Sequence, residues 1–89
     1  FSSQLFIMVI AMYKKYVDVI TMVDKHGEVK PLAIQWDEIK RYPIERVVDI
    51  RWAASPVGGS GLRFTCQIAG HERILFYERN RWFIESLQP

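Results

Sequence analysis

The sequence predicts an all-β domain: a small antiparallel barrel of five or six strands, SH3-like and partly open. Three observations carry this. Residues 47–54 and 62–69 alternate apolar and polar side chains: Val48, Ile50, Trp52 and Ala54 are interleaved with Asp49 and Arg51, and Leu62, Phe64, Cys66 and Ile68 with Arg63, Thr65 and Gln67. Strand side chains point to opposite faces with a period of two, so each run reads as a half-buried strand. Turn signals then recur about every ten residues, the spacing of sandwiches and small barrels. Finally, 89 residues make one domain with a thin core. Five Phe, three Trp and four Tyr help to fill it, because aromatics bury the most area per residue.

Residues 1–11 read as an apolar N-terminal extension, either appended to the domain or translated from an upstream start. The domain proper then spans 12–89, with Met12 a natural beginning; the alternative is a native first edge strand. The apolar run at 5–12 is far shorter than the ~20 residues needed to span a bilayer. It has neither a basic stretch before it nor a small-residue cleavage site after it, so no membrane partner is expected. Ile7, Val9 and Ile10 favour an extended conformation, which predicts that the run adds as a strand to its own sheet or to a second chain.

Residues 16–24 are rich in β-formers (Val17, Val19, Ile20, Thr21, Val23). Lys25-His26-Gly27-Glu28 is a turn, with Gly where positive φ is needed. The chain resumes over 29–36 with Leu32, Ile34 and Trp36 on one face, completing a hairpin. Pro31 cannot donate to a ladder and belongs at a strand end or exposed edge. Residues 37–44 admit a single helical turn stopped by Pro43, or an Asp37-Glu38 turn into a short strand over 39–44. The strand is preferred, because so short a helix has little stability of its own. After 47–54, Pro56-Val57-Gly58-Gly59-Ser60-Gly61 connects to 62–69. A turn at Gly70-His71, a strand over 72–78, a turn at Arg79-Asn80 and a strand over 81–85 finish the chain. The expected core is Val19, Leu32, Ile34 and Trp36, then Val48, Ile50 and Trp52, then Leu62, Phe64, Cys66 and Ile68, with Phe76 and Ile84. Arg63 and Thr65 should be more exposed than Phe64 and Cys66.

The residues argue against catalysis. Cys66 belongs to the inward row, where a thiol has neither a lowered pKa nor access to substrate. With His26 and His71 it lacks clustered ligand spacing, so no metal is expected. Gly58-Gly59-Ser60-Gly61 joins two strands, whereas phosphate loops open a helix, so no nucleotide cofactor is expected. Asp37-Glu38 reads as turn residues. A single cysteine excludes an internal disulfide and favours a reducing compartment.

What remains is a surface. Net charge is +2, split as −1 over residues 1–38 (four Lys, five acids) and +3 over 39–89 (one Lys and seven Arg, five acids). Candidate binding residues are Arg51, Arg63, Arg73, Arg79 and Arg81 with Tyr77, since Arg interleaved with aromatics on a small barrel suits single-stranded nucleic acid. The plainer reading pairs these Arg with Glu72, Glu78 and Glu85 across strands. The preferred partner is a protein, or a second copy, engaged through a sheet edge or groove by strand addition.

Tyr16-Val17-Asp18-Val19-Ile20, Val47-Val48-Asp49-Ile50-Arg51 with Ala53-Ala54-Ser55, Gly58-Gly59-Ser60-Gly61 leading to Arg63-Phe64-Thr65-Cys66, Leu75-Phe76-Tyr77-Glu78 and Arg81-Trp82-Phe83-Ile84-Glu85 together resemble a family of short proteins of Gram-positive bacteria with no established function. The resemblance covers residues 14–86. The family pattern places Gly in the turn after Trp36, where this chain has Glu38-Ile39. The resemblance implies a cytoplasmic bacterial protein and brings no activity or site. Such proteins are also associated with genes for translesion DNA polymerases, which adds slightly to a nucleic-acid or repair-partner reading.

Overall fold

The computed structural model describes residues 13–55 and 60–86. The apolar run expected to add as a strand and residues 56–59 of the glycine-rich loop lie outside them. Seven strands form one antiparallel sheet: β1 (Tyr13–Val23), β2 (Val29–Gln35), β3 (Arg41–Pro43), β4 (Arg46–Ala54), β5 (Ser60–Ile68), β6 (His71–Glu78) and β7 (Arg81–Ser86), in the order β3-β2-β1-β7-β6-β5-β4. The strand count exceeds the five or six expected for the barrel, and the short strand preferred over 39–44 forms as β3, only three residues long, pairing with β2 through Ala33↔Pro43 and Gln35↔Arg41.

Short polar side chains and positive φ angles make the turns. Asp24 Oδ1 accepts from the backbone N–H of His26 (2.8 Å) and Glu28 (2.9 Å), while Gly27 takes φ +84°. Asp37 does the same for Ile39 (2.8 Å) and Lys40 (2.7 Å), so residues 37–40 turn without a helix. The β5–β6 turn is Ala69-Gly70, one residue earlier than expected, at φ +51° and +78°. Arg79 and Asn80 take φ +53° and +65° between β6 and β7. Two positive φ values in a two-residue loop match the strand twist, and Gly70 and Asn80 tolerate them better than most residues.

The sheet curls into a half-barrel. β1 changes partner midway: Tyr13 to Val17 pair with β7, and Asp18 to Val23 with β2. Consecutive amides then tie the two ends of the sheet together. Ile44 N–H donates to Leu32 O (2.9 Å) on β2, and Glu45 N–H donates to Gln67 O (2.8 Å) on β5. The Glu45 carboxylate also accepts from Gly70 N–H at 3.0 Å. At the opposite corner, Ser55 Oγ donates to Glu85 Oε2 at 3.3 Å, although β5 and β6 separate their strands in the sheet.

Two apolar clusters result. Ile34, Phe64, Cys66, Ile68, Leu75 and Trp82 are buried on one face. Trp82 donates its indole N–H to Thr21 Oγ1 (3.0 Å), so its polar tip is satisfied. Phe76 and Phe83 stack at 5.0 Å on the other face, with Tyr16 edge-on to Phe83 at 6.0 Å. Central strands are therefore buried on both faces, and Thr65, expected outward, is 9% exposed.

The core differs from expectation at five positions. Leu32, Trp36, Val48, Ile50 and Trp52 are 47%, 41%, 45%, 51% and 73% exposed. Two β-bulges account for the first and third. The β1–β2 register steps from Ile20↔Ala33 to Thr21↔Pro31, leaving Leu32 as the extra residue. The β4–β5 register steps from Val47↔Cys66 to Asp49↔Thr65, leaving Val48. Ile50 and Trp52 do lie opposite Phe64 and Leu62, but on the terminal strand, beyond the cover of the core. Trp36 stands past the end of β2, with the Lys15 ammonium 4.6 Å from its ring centroid. Leu75 and Phe83 are fully buried without having been expected in the core.

Candidate interaction site

The exposed apolar feature of the sheet is the outer strand β4. Val47, Val48, Ile50 and Trp52 favour a strand by shape, and β5 pairs with only one side of it. Among the described residues its other side is unpaired, a row of free N–H and C=O groups that templates further strand pairing. Ile50 and Trp52 stand exposed on one face of this edge. On the other face Arg51 Nε donates to Asp49 Oδ2 at 2.7 Å, with side chains 64% and 42% exposed. Beside Trp52 a shallow hollow of about 420 Å³ is lined by Leu62, Tyr77 and Asn80. Gly61 closes its floor: a Cβ there would collide with the Tyr77 carbonyl oxygen.

A second concavity of about 440 Å³ lies between the β2–β3 end and the β5–β6 turn, lined by Ile34, Trp36, Tyr42, Ile68, Arg73 and Ile84. Its lining is mostly apolar, with Arg73, His71 and Glu85 among it.

The six residues singled out from the sequence are divided between faces. Arg51 and Arg63 lie directly opposite each other on the face of Phe76 and Phe83. Arg81 joins them there, its guanidinium 3.5 Å from the Tyr16 ring centroid. Tyr77 and Arg73 point to the other face, Tyr77 against Trp82 at 4.6 Å. Arg79 sits in a turn. One continuous strip of all six is therefore not formed. Nor do the cross-strand Arg–Glu pairs form as expected for Glu78, which pairs with Lys14 at 3.2 Å, and Arg63, Arg73 and Arg79 have no ion pair among the described residues.

Electrostatic perturbations are local. Burial alone pushes the Cys66 thiol up to about 11, so the side chain is a neutral core group at physiological pH. The Glu28 and His26 amides, with Lys30 nearby, hold Asp24 below the usual carboxylate range. The Lys40 and Ile39 amides do the same for Asp37. Among the described residues no three His, Cys, Asp or Glu side chains gather into a metal-sized group. No helix among them is long and apolar enough to cross a membrane.

Comparison with family models, curated proteins and solved structures finds no match. The surfaces are thus read from their own geometry. Sequence reasoning missed the exposure of Ile50 and Trp52 because alternation reports which face a side chain takes, and not whether a further strand lies beside it.

Proposed function

We propose that this domain is a non-catalytic interaction module of the SH3-like small-barrel type, which takes up an extended segment of a protein partner along β4 in a cytoplasmic setting. The observation that carries the reading is the edge itself: nine residues long, unpaired on one side among the described residues, and bearing Ile50 and Trp52 exposed. An added strand gains backbone hydrogen bonds along the edge, while alternate side chains of the ligand meet Ile50 and Trp52 for specificity. Long apolar edges are otherwise an aggregation hazard, and among the described residues the Val48 bulge, the Asp49–Arg51 pair and Arg46 blunt it.

The test is selection of random twelve-residue peptides on the full chain, followed by amide hydrogen exchange with a selected peptide bound. Protection of β4 amides, with affinity little changed by salt, is the expected result. Selected peptides that protect other strands and leave β4 exchanging as before would overturn the proposal. Arg63 opposite Arg51 favours one alternative, a weak nucleic-acid binder using that face with Arg81. Single-stranded oligonucleotide affinity falling steeply with salt would identify it.

A further inference from the structure

Strand addition along β4 asks what the ligand strand looks like, and β4 itself answers. We propose that β4 pairs antiparallel with β4 of a second copy about a two-fold axis between the two Ile50 residues, forming one continuous sheet across the dimer. This rests on the proposed use of the β4 edge.

The register follows from charge. A two-fold axis perpendicular to a continuous sheet lies midway between a residue of β4 and its own equivalent in the second copy, so that equal offsets on either side of that residue oppose each other. Directly opposed residues share a face and lie about 4.5–5.5 Å apart between Cα atoms. Centring on Asp49 sets two carboxylates face to face. Centring on Arg51 does the same with two guanidinium groups. Like charges directly opposite destabilise strand pairing. Centring on Ile50 sets each Asp49 against the other copy's Arg51, twice. It also sets Val48 against Trp52, and Ile50 against its own equivalent. The charged residues of the strand are Arg46, Asp49 and Arg51, and Arg46 meets only Ala54 in this register. Asp49 and Arg51 already pair within the strand while remaining open to solvent, so pairing of two copies converts two exposed pairs into a square of alternating charges.

The apolar side of the same strip gains as well. Trp52, 73% exposed in the single chain, would be covered in part by Val48 of the other copy. Self-pairing in this form also provides regulation, because a partner segment and a second copy compete for the same row of amides.

Sedimentation of the full 89-residue chain over micromolar to near-millimolar concentrations tests the proposal. The expected result is a reversible monomer–dimer equilibrium, with Arg51→Glu raising the dimer dissociation constant about tenfold or more. Exchanging the charges, Asp49→Arg with Arg51→Asp, should restore it, since the Ile50-centred register is the one that opposes charged residues of β4 of opposite sign to each other. Ile50→Cys should cross-link on oxidation, its two Cα atoms lying within disulfide reach, while Trp52→Cys should not. A chain that stays monomeric throughout, a dimer indifferent to Arg51→Glu, or cross-linking at 52 and not at 50 would each overturn it. Those results leave the peptide selection to decide the edge reading independently: β4 protection by a peptide in a monomeric chain retains the edge and discards the second copy.

Discussion

β4 and β5 are neighbours in one hairpin with nearly the same alternating pattern, yet their apolar rows have opposite fates. Phe64 and Cys66 are 1% and 0% exposed, whereas Ile50 and Trp52 are 51% and 73% exposed on the same face. The difference is position in the sheet. β5 has a strand on either side and core above it; β4 has β5 on one side and, among the described residues, no strand on the other. Alternation therefore fixes which face a side chain takes, and the count of neighbouring strands fixes whether that face is dry.

The contrast can be broken by substitution. The largest effect is expected for Phe64→Ala, which removes a ring packed 5.0 Å from Trp82. Equilibrium denaturation in urea should show a loss of about 3–5 kcal/mol, and a loss below about 1 kcal/mol would mean that the β5 row does not organise the core. Thr21→Val comes next. It leaves the Trp82 indole N–H without its acceptor, and a loss of about 1–3 kcal/mol is expected by the same measurement.

Acid sharpens the comparison at the other end of the sheet, where β1, β2 and β3 turn on Asp24 and Asp37. Both carboxyls titrate below their unfolded values in the folded protein. Their contribution is present above the unfolded pKa of about 3.9 and is lost as pH falls through the lower folded values. Denaturation midpoints should therefore drop over that acid range, and Asp24→Asn with Asp37→Asn should flatten the drop. An equally steep drop in the double variant would assign acid sensitivity elsewhere. Smallest of all is Trp52→Ala, expected to change monomer stability by no more than about 0.5 kcal/mol because the ring is exposed. A destabilisation near that of Phe64→Ala would show β4 to be as well covered as β5.

Much of the fold was legible in local chemistry. The glycine and asparagine turns, the two long alternating runs and the inward place of Phe64, Cys66 and Ile68 follow from short-range rules. Bulges were not legible, since Leu32 and Val48 look like ordinary members of their rows until a partner strand skips them. Arg73 and Tyr77 could not be separated from Arg63 and Arg81 by sequence spacing alone, because the register of β6 against its neighbours decides their faces. The exposure of the apolar row on β4 was not legible for a related reason: its side chains are right for burial, and its place at the end of the sheet keeps them wet.

The partner change within β1 has a bearing on how the chain reaches this state. Tyr13 meets Ser86 and Val17 meets Trp82, so the first strand of the sheet is completed by the last. Closing so long a loop must be met entropically before the contacts return anything, which places this topology among the slower two-state folders. During synthesis, β1 can hydrogen-bond β2 early through Asp18 to Val23, but its first five residues wait for β7 to leave the ribosome. Until then the nascent chain holds an unfinished hairpin, and removal of residues 81–86 should trap the protein there.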